Sequence, residues 1–283
     1  MHAAPPSTLR RFLRHRGALA GLLVLAALAA CALFGPWFDA NDPWAMAQQP
    51  FLPPLAAPGL PLGTDLLGRD LLAGMLHGAR VSLLVGLVST LAALVAGVLV
   101  GAVAGYAGGW ADLLLMRFTE LFQSIPGFAL AIVLVSIFEP SLASIVTAIA
   151  VVSWPPVARL MRAEFLSLRH RDFVLAARLA GRPAWRIAFG EILPNATAPI
   201  VVMASMMVSS AILLESSLSF LGLGDPNLMS WGYMVGAART ALREAWWMAV
   251  FPGIAIVLSV LALNLVGDGL NDALGTRLGE PMR

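Results

Sequence analysis

Lysine is missing from this 283-residue chain; all 18 basic residues are arginine. A phosphate-cradling P-loop needs a lysine to reach the β- and γ-phosphates, so the chain cannot be an ATPase of that kind. Cysteine occurs once, as Cys31, which excludes an intramolecular disulfide and a CxxC metal site. His2, His15, His77 and His170 stand far apart and none belongs to an HExxH pattern, so no metal site is legible. Charge is scarce too. Only 12% of residues are charged against 59% hydrophobic, with a mean hydropathy of +0.83. A soluble domain of this length needs a charged shell, so the composition points to a polytopic membrane protein.

What is there is a series of long apolar runs. Six windows, roughly 17–35, 82–105, 114–138, 141–160, 196–221 and 246–267, each approach the ~20 residues that cross ~30 Å of hydrocarbon. In lipid every backbone polar group must be satisfied within its own segment, so helices are the expectation and the fold class is all-α. Glu139-Pro140 leaves room only for a tight outer hairpin between the third and fourth spans. Arginine sets the orientation. With the N-terminus inside, positions 10, 11, 14, 16, 117, 159, 162, 169, 171, 178, 182, 186, 277 and 283 are cytoplasmic, and only 69, 80, 239 and 243 lie outside. The positive-inside rule therefore favours N-in, C-in. The organisation expected is a cytoplasmic tail (1–16), a first transmembrane helix (17–35), an extracytoplasmic segment (36–81), a core (82–267) with a cytoplasmic loop at 161–195, and a cytoplasmic tail (268–283). No internal repeat stands out.

Two N-terminal patterns imitate export signals. Arg10-Arg11 before Phe12-Leu13 has a twin-arginine look, and Leu28-Ala29-Ala30-Cys31 fits a lipoprotein cleavage box. Gly17 to Phe34 is long enough to span, however, and more spans follow, so a retained signal anchor is expected, with Cys31 a small apolar residue in a helix.

The segment Phe173 to Asn195, FVLAARLAGRPAWRIAFGEILPN, is polar and arginine-bearing, between two membrane-length runs. It holds the pair Ala176-Ala177, Gly181 four residues later, and Leu193-Pro194. Small residues let another backbone approach closely, Gly181 suits the left-handed end of a helix, and Pro183 fits the first turn of a second helix. Pro194 and Asn195 end that helix and begin the next span. The plain alternative is an interfacial amphipathic loop.

This layout resembles the cytoplasmic coupling loop of permease subunits in ABC importers. Family members usually carry glutamate where Leu175 stands, and isoleucine where Glu191 stands. Further stretches resemble the dipeptide, oligopeptide and nickel permeases, specifically the smaller of the two permease types. They are Gly63-Thr64-Asp65-Leu66-Leu67-Gly68-Arg69-Asp70 continuing to Gly78-Ala79-Arg80, Glu215-Ser216-Ser217-Leu218-Ser219-Phe220-Leu221-Gly222-Leu223-Gly224 with Trp231-Gly232, and Gly267-Asp268-Gly269-Leu270 with Asp272. The resemblance runs from the first span nearly to the last residue.

It implies a type I importer permease fold in a bacterial inner membrane. The implied partners are a homologous second permease, two ABC ATPases and an extracytoplasmic solute-binding protein, with no nucleic acid. It also implies that ATP and Mg are bound by the ATPases, with no cofactor on this chain. Asp172, Ala176, Ala177, Arg178, Gly181, Arg182 and Pro194 would then form the ATPase-coupling loop. Peptide is the substrate expected by family frequency; nickel and glutathione are handled by the same family, and nothing in the spans separates them.

Other features carry two readings each. Ala93, Gly97, Gly101 and Gly105 recur at intervals of four and suit close helix packing, within this chain or against a second permease. Glu215, a carboxylate in an apolar run, must face protein or water, so it belongs either to a translocation pathway or to a structural cluster with Ser216, Ser217 and Ser219. Asp65, Arg69 and Asp70 suit either docking of a binding protein or a local turn. Pro126, Pro155, Pro156 and Pro252 interrupt spans and permit bends. A secondary transporter would show ionisable residues in several spans, where Glu215 is the main candidate. A membrane hydrolase would need a Ser/His pair within them, whereas His77 lies near the outer edge of one and the other histidines lie outside.

Overall fold

The computed structural model describes residues 8–38 and 42–275; the outermost parts of both tails, with Arg277 and Arg283, lie outside the described residues. A short helix, α1 (Thr8–Phe12), leads into α2 (Arg16–Phe38). An irregular outer segment then reaches α3 (Leu71–Ala107), which turns at Gly108 into α4 (Gly109–Ser124) and α5 (Gly127–Ile137). Next come α6 (Leu142–Leu168) and a cytoplasmic loop of short elements, α7 (Asp172–Leu179), α8 (Ala184–Ile187), a π-helical turn (Ala188–Ile192) and α9 (Leu193–Asn195). The chain finishes with α10 (Thr197–Phe220), the short outer helix α11 (Trp231–Ala238) and α12 (Trp247–Leu274). Among the described residues, extended pairing is confined to two isolated bridges, Met46–Arg69 and Thr64–Asp70.

Five of these helices are long and apolar enough to cross a membrane, and six spans result when α4 and α5 are counted as one. That third span differs from the single helix expected over 114–138: its two parts meet at 86°. Pro126 supplies no N–H to the preceding turn and disfavours helical backbone at Ile125, which is extended with φ −96 and ψ 132. Pro155, Pro156 and Pro252, by contrast, lie inside continuous helices. The second span begins at Leu71 rather than 82, because Asp70 caps it by accepting from the Leu72 N–H at 2.9 Å. His77 and Arg80 had disguised this first part as loop. At 37 residues, α3 is about 55 Å long and stands well clear of the hydrocarbon on the outer side. The last span likewise continues to Leu274, past 267.

The small-residue stripe is packed within the chain. A Cβ on Gly97, Gly101 or Gly105 would fall 2.5 Å from Val157 Cβ, 2.3 Å from the Ala158 carbonyl oxygen and 2.6 Å from Phe165 Cβ respectively. The backbones of α3 and α6 thus touch along three turns.

The outer segment closes over the bundle through long-range hydrogen bonds. Trp247 donates its indole N–H to the Thr64 carbonyl at 3.2 Å, and Trp231 donates its own to the Met75 carbonyl at 3.0 Å. Thr64 is buried and its hydroxyl bridges the chain, accepting from the Leu52 N–H and donating to the Gln49 carbonyl.

Candidate functional site

The cytoplasmic loop is rigidly seated. Val174 and Ala177 of α7, Ile187 of α8 and Ala188 and Ile192 of the π turn are buried together with Ala102 of α3 and Val157, Met161 and Phe165 of α6. Asp172 places a carboxylate in the first turn of α7, where the helix dipole favours it. At the other end Gly181 adopts φ +72; its N–H reaches the Arg178 carbonyl at 3.0 Å and the Arg182 N–H reaches the Ala177 carbonyl at 3.2 Å. These two bonds form a Schellman stop, which needs a residue free to take the left-handed region. Pro183 lies immediately ahead of α8, as its N-cap rather than in its first turn.

The sequence-selected residues divide between two faces. Ala177 points into the bundle, while Ala176 is exposed. The Arg178 guanidinium sits 5.5 Å from the Tyr106 ring, tying α7 to the cytoplasmic end of α3. Arg182 pairs with Glu191 across the glycine turn. The departure at Glu191 is thus an internal brace between α7 and the π turn. Pro194 lies in the first turn of α9, where its missing N–H breaks the helical ladder beside the π turn. The other departure, Leu175, is exposed, as are Phe173, Leu179, Trp185 and Phe189 of the same loop. Leu179 is 91% exposed and Trp185 61%. Five exposed apolar side chains on an otherwise arginine-rich loop mark an interaction surface. Sequence reasoning missed Leu179 and Trp185, because each is one apolar residue among many until the fold turns it outward.

Beside the loop, Arg162 of α6 grips Asp112 of α4, with Nη2 to Oδ2 at 2.7 Å and Nε on the other oxygen. Arg169 donates to the Gly105 carbonyl at 3.2 Å. These bonds join the ends of α3, α4 and α6 that lie beside the loop.

The outer trio is built into a turn. Asp65 accepts from the N–H groups of Leu67 (2.8 Å) and Arg69 (2.9 Å), Arg69 lies 4.7 Å from the Trp44 ring, and Asp70 is the α3 cap. Glu215 is 2% exposed and reaches no open face. It accepts from Ser219 at 2.8 Å and Ser230 at 2.7 Å on one oxygen, and from Ser216 at 3.4 Å on the other. Ser217 donates instead to the Leu213 carbonyl. Ser230 also caps α11, accepting from the Tyr233 N–H at 3.0 Å. The carboxylate thereby fastens α11 to α10, the structural alternative for this residue.

Comparison with known proteins bears on the whole chain. Residues 97–280 match the family described as binding-protein-dependent transport system inner membrane component, and residues 7–58 match the N-terminal TM domain of oligopeptide transport permease C. The chain is 44% identical to the di/tripeptide transport system permease protein of Pseudomonas aeruginosa, over 98% of both chains. It is 43% identical to the dipeptide transport system permease protein of Escherichia coli K12, over 95% of this chain and 92% of that one. The corresponding permease of Haemophilus influenzae is 39% identical over 95% and 93%.

Proposed function

This chain belongs to the family of binding-protein-dependent transport system inner membrane components, and on that premise we propose that it is a membrane-spanning permease subunit of an ATP-driven importer of di- or oligopeptides. Relatives carrying that activity in their names align along nearly its full length, which supports peptide over nickel or glutathione. It works beside a second, homologous permease, takes substrate from an extracytoplasmic binding protein, and draws its energy from two partner ATPases that bind ATP and Mg. Of the outer trio, the half-buried Asp65 and Arg69 are offered to the binding protein, while Asp70 is buried as the α3 cap.

The observation that carries the coupling role is the exposure of Leu175, Leu179 and Trp185 on a loop whose Val174, Ala177 and Ile187 are buried against α3 and α6. A surface that is apolar outward and rigidly attached inward can pass a push from the ATPases to the spans. ATP binding shifts the equilibrium between inward- and outward-open states only through a preference for one of them, and this loop is where that preference is transmitted.

Leu179→Glu tests it. The side chain is too exposed for the change to disturb packing, so the variant should reach the membrane at wild-type level, yet purify from mild detergent without P-loop ATPases and lose dipeptide uptake. Co-purification and uptake at wild-type levels would remove the loop from the interface.

A further inference from the structure

The break between α4 and α5 sits at the centre of the membrane. Gly127 packs on Val152, with a Cβ there only 2.8 Å from Val152 Cγ1. Val152 lies ten residues into α6 from Leu142, hence about 15 Å below the outer end of that helix, half of a ~30 Å hydrocarbon layer. Asp112, at the start of α4, is held by Arg162, another ten residues and about 15 Å further along α6, at the inner boundary. Phe118 and Phe122 rest on Trp154 between these levels.

Two features of α4 are then incompatible with lipid contact. Pro126 brings no N–H to the Phe122 carbonyl, and among the described residues no backbone donor reaches the carbonyls of Gln123 or Ser124, while Ser124, Ile125 and Pro126 are all exposed. Non-helical backbone at this depth is tolerated only inside protein or beside water. The second feature is independent. Arg117 and Glu120 pair at 2.8 Å with side chains 72% and 56% exposed, at a depth between Asp112 and the break, so Arg117 lies within the layer and not in the cytoplasm where the arginine count placed it. Exposed ionised groups inside the hydrocarbon layer face a water-filled cavity. Positions 117, 120 and 124 follow a three-and-four spacing, so both features share one helix face. Against lipid that face would be unstable.

Phe128, at the start of α5, lines an open depression of about 350 Å³ with Leu213, Ser217 and Phe220, and Arg117 and Glu120 line another of about 500 Å³ with Asp112 and Arg159. A second subunit's helix would have to bring side-chain donors to those free carbonyls, whereas water and a hydrated solute bring theirs directly.

We propose that this face of α4 and α5, joined by Leu213 and Ser217 of α10, lines the water-filled passage of the importer and meets the transported peptide at the α4–α5 break. The assignment rests on the importer reading above. Freed carbonyls and serine hydroxyls at the midplane, with charges of both signs below them, suit a solute that carries amide groups and two charged ends.

The test is thiol accessibility in the assembled transporter, in membranes, after Cys31→Ala removes the native cysteine. Ser124→Cys, Phe128→Cys and Ser217→Cys are compared with Leu23→Cys and Leu33→Cys, exposed on the uniformly apolar α2. A charged methanethiosulfonate should modify the first three roughly tenfold or more faster than the controls, as water access to a midplane position demands, and excess dialanine should slow that modification during turnover. Each variant is assayed for dialanine uptake, so a misassembled one is recognised and the other two carry the result. Uptake with all three thiols as silent as the controls would overturn the passage while leaving the importer intact, with a second subunit's helices covering the face. Fast modification without dialanine uptake or protection would keep the passage and overturn the peptide reading.

Discussion

The Glu215 carboxylate accepts from Ser219 of α10 and from Ser230, the cap of α11, on a single oxygen. An acid in the middle of an apolar run suggested either a pathway or a serine cluster, and Ser216 and Ser219 were legible as neighbours from their spacing alone. Ser230 was not, because the bond that it donates to Glu215 joins residues fifteen positions apart across a turn. Glu215→Ala would leave two buried hydroxyls, on Ser219 and Ser230, without their acceptor, a loss of about 1–3 kcal/mol for each unsatisfied group. Glu215→Gln keeps a carbonyl oxygen whose two lone pairs serve both, and loses only the longer bond from Ser216. Thermal unfolding in detergent should therefore fall clearly for Ala and less for Gln; equal midpoints for all three proteins would mean that the carboxylate does not fasten α11. Gly181 teaches the reverse lesson. Its place four residues after the alanine pair was sufficient to predict a helix stop, because only a left-handed residue closes both bonds of that turn.

Elements were legible wherever apolarity and length coincided, and least so where they did not. The spans were placed in number and order, but α3 was cut short by His77 and Arg80, whose side chains belong to a helix already above the lipid. The bend at Pro126 was foreseeable as a bend and not as an 86° break, since hydropathy averages across both halves. The stripe in α3 left open whether its partner lay in this chain; α6 is that partner. Gly101→Val would drive a side chain into the Ala158 carbonyl and Met161, forcing α3 and α6 apart at a loss of about 1–3 kcal/mol or more from overpacking. Gly190→Ala meets nothing within 4 Å and serves as the control. Reduced yield and a lowered unfolding midpoint are expected for Gly101→Val alone; a midpoint equal to that of the control would show that the two helices have room to separate.

At the scale of the whole molecule, one orientation satisfies arginine placement and structure together, with the α7–α9 loop inside and α11 outside. Alkaline phosphatase fused after Arg243 should be active, whereas fusion after Arg186 should be silent; the opposite pattern would invert the protein and place the proposed coupling surface outside. The same topology has a consequence in time. Thr64 cannot receive the indole N–H of Trp247 until 183 further residues have been made, which at about 5–20 residues per second takes roughly ten to forty seconds. During that interval the outer segment has been exported without its clasp, open to proteases of that compartment. A nascent chain halted before the last span would therefore present Thr64, buried in the finished protein, without its tie to the bundle.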